Sequence, residues 1–119
     1  MAGEKSTSTT PGALAPAEST ALTATVEVAP GAIVSRTLAR SAGGNVTVFA
    51  FDRGQELAEH SAPFDAMVHL LEGALVVIIA GKEHLLGPGD AIIMPADVPH
   101  GVRAPEQAKW MLVMLKGEG

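Results

Sequence analysis

The sequence predicts an antiparallel all-β sandwich or barrel, and three observations carry that expectation. From residue 31 onward, apolar runs of four to eight residues recur between clusters of turn formers. The runs are rich in Val and Ile, and no segment sustains a helical apolar period with caps at both ends, so helix is expected to be nearly absent. Thirteen Gly and eight Pro among 119 residues supply the turns that such a fold needs.

The runs follow in order. Residues 33–40 (IVSRTLAR) precede Gly43-Gly44-Asn45, and 46–51 (VTVFAF) end at Asp52-Arg53-Gly54. Residues 67–72 (MVHLLE) and 74–80 (ALVVIIA) flank Glu72-Gly73, which reads as a tight hairpin. Gly81-Lys82 and the stretch Gly87-Pro88-Gly89-Asp90 mark further turns. Residues 91–94 (AIIM) stop at Pro95, because proline removes the N–H that a ladder needs. The last run, 110–115 (WMLVML), reads as a buried strand near an interface.

Residues 1–25 differ in kind. They are mostly Ser, Thr, Ala, Pro and Gly, with Leu14 and Leu22 the only sizeable apolar side chains after Met1. Such a stretch buries too little surface to offset its ordering entropy, so it is expected to be a disordered low-complexity tail before a single domain at 26–119. The alternative is a segment near Val26 and Val28 that pairs with the body or with a partner chain.

Composition excludes several functions. Eight Lys+Arg against thirteen Asp+Glu give a formal charge of −5, and the cations are scattered, which argues against a nucleic-acid partner. The absence of Cys excludes disulfides, Cys-ligated zinc and a thiol nucleophile. No run approaches the ~18 apolar residues of a membrane span, and no basic-then-apolar leader is visible. A cytoplasmic protein without a membrane partner is expected.

Two stretches carry a resemblance. Residues 54–73 (GQELAEHSAPFDAMVHLLEG) are similar to the first motif of the cupin superfamily, with Gly54, His60 and Gly73 on its places. Residues 89–100 (GDAIIMPADVPH) are similar to the second motif, with Gly89, Pro95 and His100 on its places. The fifteen residues between them (74–88) match the short spacing of small single-domain microbial cupins, the RmlC-like cupin type 2 barrels. The resemblance implies a jelly roll, an antiparallel double-stranded β-helix. It also implies a homodimer, as does the need of a small barrel to cover its strand edges.

The first motif is degenerate. Ala62 stands where the second His belongs, Ala66 where the Glu belongs, Asp97 where the second motif has Gly, and Ala104 where it ends in Asn. Of the usual three His and one Glu, His60 and His100 remain. The resemblance therefore implies at His60 and His100 either a weakly held divalent transition metal (Zn, Fe, Ni or Mn) or two polar groups in a ligand pocket. Zinc usually takes at least three protein ligands, and non-haem iron usually two His and a carboxylate.

The resemblance implies that 60, 62 and 66 share one face; strand alternation continues that face through 68 and 70 and sends Asp65 and His69 to the other, barring a bulge near Pro63. Met67 and Met94 are soft donors but read first as filler. His84 reads as a solvated turn residue, and Glu56 and Glu59 as solvated charges. Asp90 reads as a turn carboxylate accepting local N–H groups. Asp97 reads as a turn residue or as a group orienting His100. Phe49, Phe51, Phe64 and Trp110 read as core or interface. Two functions stay open: a small-molecule binding or sensing protein, and a metal-dependent oxygenase or isomerase acting on a small organic acid or aromatic. A structural dimer module without a ligand is the third.

Overall fold

The computed structural model describes residues 11–117. The first ten residues of the expected tail lie outside the described residues. The described residues form nine strands and one short 3-10 turn, Leu22–Ala24. The strands are β1 (Ile33–Ser41), β2 (Gly44–Phe51), β3 (Glu56–His60), β4 (Asp65–Glu72), β5 (Leu75–Ile79), β6 (Lys82–Leu86), β7 (Ala91–Met94), β8 (His100–Arg103) and β9 (Ala108–Leu115). They make two antiparallel sheets, ordered β1-β2-β9-β4-β7 and β3-β8-β5-β6. The jelly-roll expectation holds.

One connection differs from expectation. Glu72-Gly73 is not a hairpin, because β4 and β5 belong to different sheets and the chain crosses between them there. The tight hairpin lies one turn later. β5 pairs β6 from Leu75↔Leu86 to Ile79↔Lys82 around Ala80-Gly81. Those two residues have φ of 51° and 81°. Two successive positive φ values suit the turn that follows the natural strand twist.

The main core lies between the sheets, where alternate residues of β4, β5 and β9 point inward. Trp110, Phe51, Leu70, Leu75, Val68 and Val77 are fully buried there. Burial of each such side chain is worth about 1.5–3 kcal/mol. The aromatics form one cluster: Phe49 stacks on Trp110 at 4.5 Å, and Phe51 meets the same indole edge-on at 5.4 Å.

A second apolar cluster lies on the outer face of the five-stranded sheet. Val48 and Ala50 of β2, together with Leu38, pack beneath Val26, with Leu14, Leu22 and Val28 alongside. Residues 14–25, which composition grouped with the tail, thus run along the barrel. Leu14 N–H donates to the Leu38 carbonyl at 2.9 Å, and Lys109 Nζ donates to the Thr23 carbonyl at 2.7 Å. A few apolar side chains are enough when a preformed sheet receives them. Among the described residues, no helix is long and apolar enough to cross a membrane.

Candidate functional site

The two imidazoles meet because of a defect in the β3–β8 ladder. Glu56 pairs Arg103 and Leu57 pairs Val102, but His60 pairs His100. Three steps along β3 therefore match two along β8, so β3 carries a bulge. The bulge lets both Leu57 and His60 face inward although their positions differ in parity. Directly opposed, the two rings lie 4.5 Å apart, edge to face at 75°.

Both rings line a cavity of about 270 Å³. Ala62 and Ala66 line it too, so the four positions singled out by the motifs converge on one space. The remaining wall comes from Leu57, Phe49, Phe64, Met94, Val102, Trp110, Leu112 and Met114. Among the described residues it carries no Lys, Arg, Asp or Glu. An apolar cavity with a few convergent polar groups is the common form of a small-molecule site.

The imidazoles differ in setting. His60 is exposed at the mouth, and its Nδ1–H donates to the Ala58 carbonyl at 3.0 Å. A carbonyl can only accept, so in the neutral ring the proton sits on Nδ1 and Nε2 is left as an acceptor. His100 is buried, and its Nδ1 has no hydrogen-bond partner among the described residues. Burial, reinforced by the neighbouring His60, holds its pKa below the ordinary imidazole value of 6.5, with the Val98 backbone opposing the shift in part. His100 is therefore neutral at pH 7. The Trp110 indole N–H is also buried without a partner among the described residues.

The other sequence candidates fall elsewhere. Asp65 and His69 face away from the cavity, as alternation requires, since Ala66, Val68 and Leu70 take the inward places. Met67 shares their outward face and is no candidate donor, whereas Met94 lines the cavity. His84 lies on β6 and not in a turn. Asp90 caps its turn: Gly87 N–H donates to its carboxylate at 2.8 Å. Asp97 is exposed, with φ of 63°, and its N–H donates to the Ala62 carbonyl at 2.7 Å. That bond ties the loop before His100 to the loop before β4. Sequence reasoning missed the Lys116 ammonium, which sits 5.5 Å from the ring centre of Phe64 at the cavity wall. No periodic signal marks such a contact.

The donor set does not fit a tightly held metal. Two imidazoles converge, the other two expected positions are methyl groups, and the described residues contain no group of three His, Cys, Asp or Glu placed to hold an ion.

Comparison with known proteins agrees with the fold. The model of the cupin domain family matches residues 47–115. Among solved structures, a conserved protein of unknown function from Streptococcus pyogenes is 36% identical, with TM-score 0.83, over 89% of this chain and 93% of that one. A cupin 2 conserved barrel domain protein from Leptotrichia buccalis is 33% identical, with TM-score 0.77, over 80% of this chain and 46% of that one. KdgF from Halomonas sp. is 26% identical, with TM-score 0.63, over 78% and 86% of the two chains. A search of curated proteins found no match. Motif, topology and family match agree, and the chain belongs to the cupin domain family.

Proposed function

We propose that this cupin binds a small, largely apolar molecule inside its barrel, in a binding or sensing role. The supporting observation is the cavity that gathers His60 and His100 beside Ala62 and Ala66, with an uncharged wall. Where a metal site would offer further donors, this chain offers space. The test is a thermal-shift screen of compact apolar compounds, run beside elemental mass spectrometry on untagged protein. Stabilisation by a compound, lost when Ala66→Leu fills the cavity, supports the reading. A near-stoichiometric transition metal that the His60→Ala/His100→Ala variant lacks overturns it.

That second outcome is the metal-dependent enzyme reading. One observation favours it: the hydrogen bond from His60 Nδ1 to the Ala58 carbonyl is the arrangement that commonly orients a ligating imidazole. The missing donors weigh against it.

The reading includes a homodimer. On the outer face of the five-stranded sheet, Ile93, Met67, Val113 and Val46 form one cross-strand row. Ile93 is 45% exposed and Leu115, next on β9, is 51% exposed. A second copy of the chain covers this row. Sedimentation at micromolar concentration tests it: a dimer that Ile93→Lys dissociates is expected, and a monomeric wild type overturns it. A cytoplasmic location is part of the same reading and is tested by cell fractionation.

A further inference from the structure

We propose that the ligand is a neutral hydroxylated molecule of the phenol class, whose hydroxyl is held by the His60–His100 pair. The inference rests on the small-molecule reading above and narrows it to a chemical class. Three observations carry it.

The first is the lone pair on His60. The Ala58 carbonyl accepts from Nδ1, so the neutral ring presents Nε2 as an acceptor. A ligand group that meets it must donate, which a ketone, ether or hydrocarbon cannot do. The second is the nearness of His100, whose ring lies 4.5 Å from that of His60. A hydroxyl donates one hydrogen and accepts with two lone pairs, so it can donate to His60 and accept from His100 in the tautomer whose N–H faces the cavity. The third is the wall. Among the described residues no Lys or Arg belongs to the cavity lining, and the Lys116 ammonium stands against the ring of Phe64 and is not one of the lining residues. A carboxylate held between the two imidazoles would therefore have no cation in the lining as counter-charge, at the high cost of burying an unpaired ion. Phe49, Phe64 and Trp110 offer faces to an aromatic ring. At roughly 30 Å³ per water-sized group, a 270 Å³ cavity holds about nine non-hydrogen atoms. A phenol with a short alkyl substituent has that size.

The test uses four molecules of nearly equal size: para-ethylphenol, para-ethyltoluene, acetophenone and benzoate. They present a hydroxyl, no polar group, an acceptor alone and an anion. Trp110 is the only Trp, so its single indole N–H resonance reports occupancy in an NMR titration of the full chain. The expected result is binding of para-ethylphenol about tenfold tighter than each of the other three. In His60→Phe, which keeps a ring and removes the acceptor, para-ethylphenol falls to the level of para-ethyltoluene. Because His60 is exposed, this variant is expected to fold, and its amide spectrum checks that it does. Para-ethyltoluene or acetophenone binding as tightly as para-ethylphenol overturns the hydroxyl inference and leaves the apolar site standing. Benzoate binding as tightly or more tightly overturns the neutral class. Failure of all four to move the indole resonance removes the cavity reading itself.

Discussion

Replacing Gly73 by Ala separates two costs that most glycine substitutions mix. Gly73 has φ of +90°, where an L side chain is strained by about 1–2 kcal/mol. Gly81 and Gly89 share that strain, with φ of +81° and +92°, but nothing lies within 4 Å of a methyl built on either. At Gly73 the new methyl would lie 2.0 Å from the Gln107 carbonyl oxygen, which is backbone. Ordinary contact begins near 3.4 Å, so something must move by 3.4 − 2.0 = 1.4 Å. Forced rearrangement of a packed region costs about 1–3 kcal/mol. The expected losses are therefore about 2–5 kcal/mol for Gly73→Ala and about 1–2 kcal/mol for Gly81→Ala and Gly89→Ala. Urea unfolding of the three variants beside the wild type measures the differences. Gln107 leads straight into β9, so the Trp110 indole resonance should move in Gly73→Ala alone. Equal losses in all three variants, within about 0.5 kcal/mol, refute the steric account and with it the close packing of the β4–β5 crossing on β9.

Three further outcomes are expected. Since His100 stays neutral in the fold while the unfolded chain takes up a proton below about pH 6.5, stability is complete above that value. It falls as the pH drops through 6.5 toward the lowered folded value. Urea midpoints between about pH 8 and 5 should show this slope reduced in His100→Phe, and an unchanged slope counts against burial of that ring. Leu22→Ala should lower stability by about 1–2 kcal/mol through lost packing on the outer face, and no loss would place that segment off the sheet. Ala62→His/Ala66→Glu should acquire a near-stoichiometric divalent metal, read by elemental analysis, and lose para-ethylphenol. A double variant without metal would show that these positions do not converge with His60 and His100 on one centre.

Much of this arrangement was legible in the chain because alternation and motif spacing act locally. Once the motif places Ala66 inward, the inward set at 66, 68 and 70 and the outward set at 65, 67 and 69 follow from a period of two. Strands β3 (ELAEH) and β6 (KEHLL) gave no apolar run. Both lie at edges of the four-stranded sheet and show mostly polar or exposed residues. The bulge that turns His60 inward was invisible, since it depends on how β8 is paired and not on any residue of β3. Glu72-Gly73 resembled a hairpin turn because a glycine of positive φ serves a tight turn and a sheet crossing equally well. Only the partner of the next strand distinguishes them. The segment from Leu14 to Val28 was undervalued because its few apolar residues count for little until a sheet exists to receive them.

The strand order has a consequence for how the molecule is made. β9, the last strand, occupies the middle of the five-stranded sheet, between β2 and β4. While the chain grows, the β1–β2 pair and the β4–β7 pair lack the strand that bridges them, and Phe49, Phe51 and Leu70 wait without the indole of Trp110 to pack on. Chains emerge at about 5–20 residues per second, so the interval lasts several seconds. A nascent chain stalled before residue 108 should behave as an unfolded, chaperone-bound species, and the barrel should close only once β9 has been made.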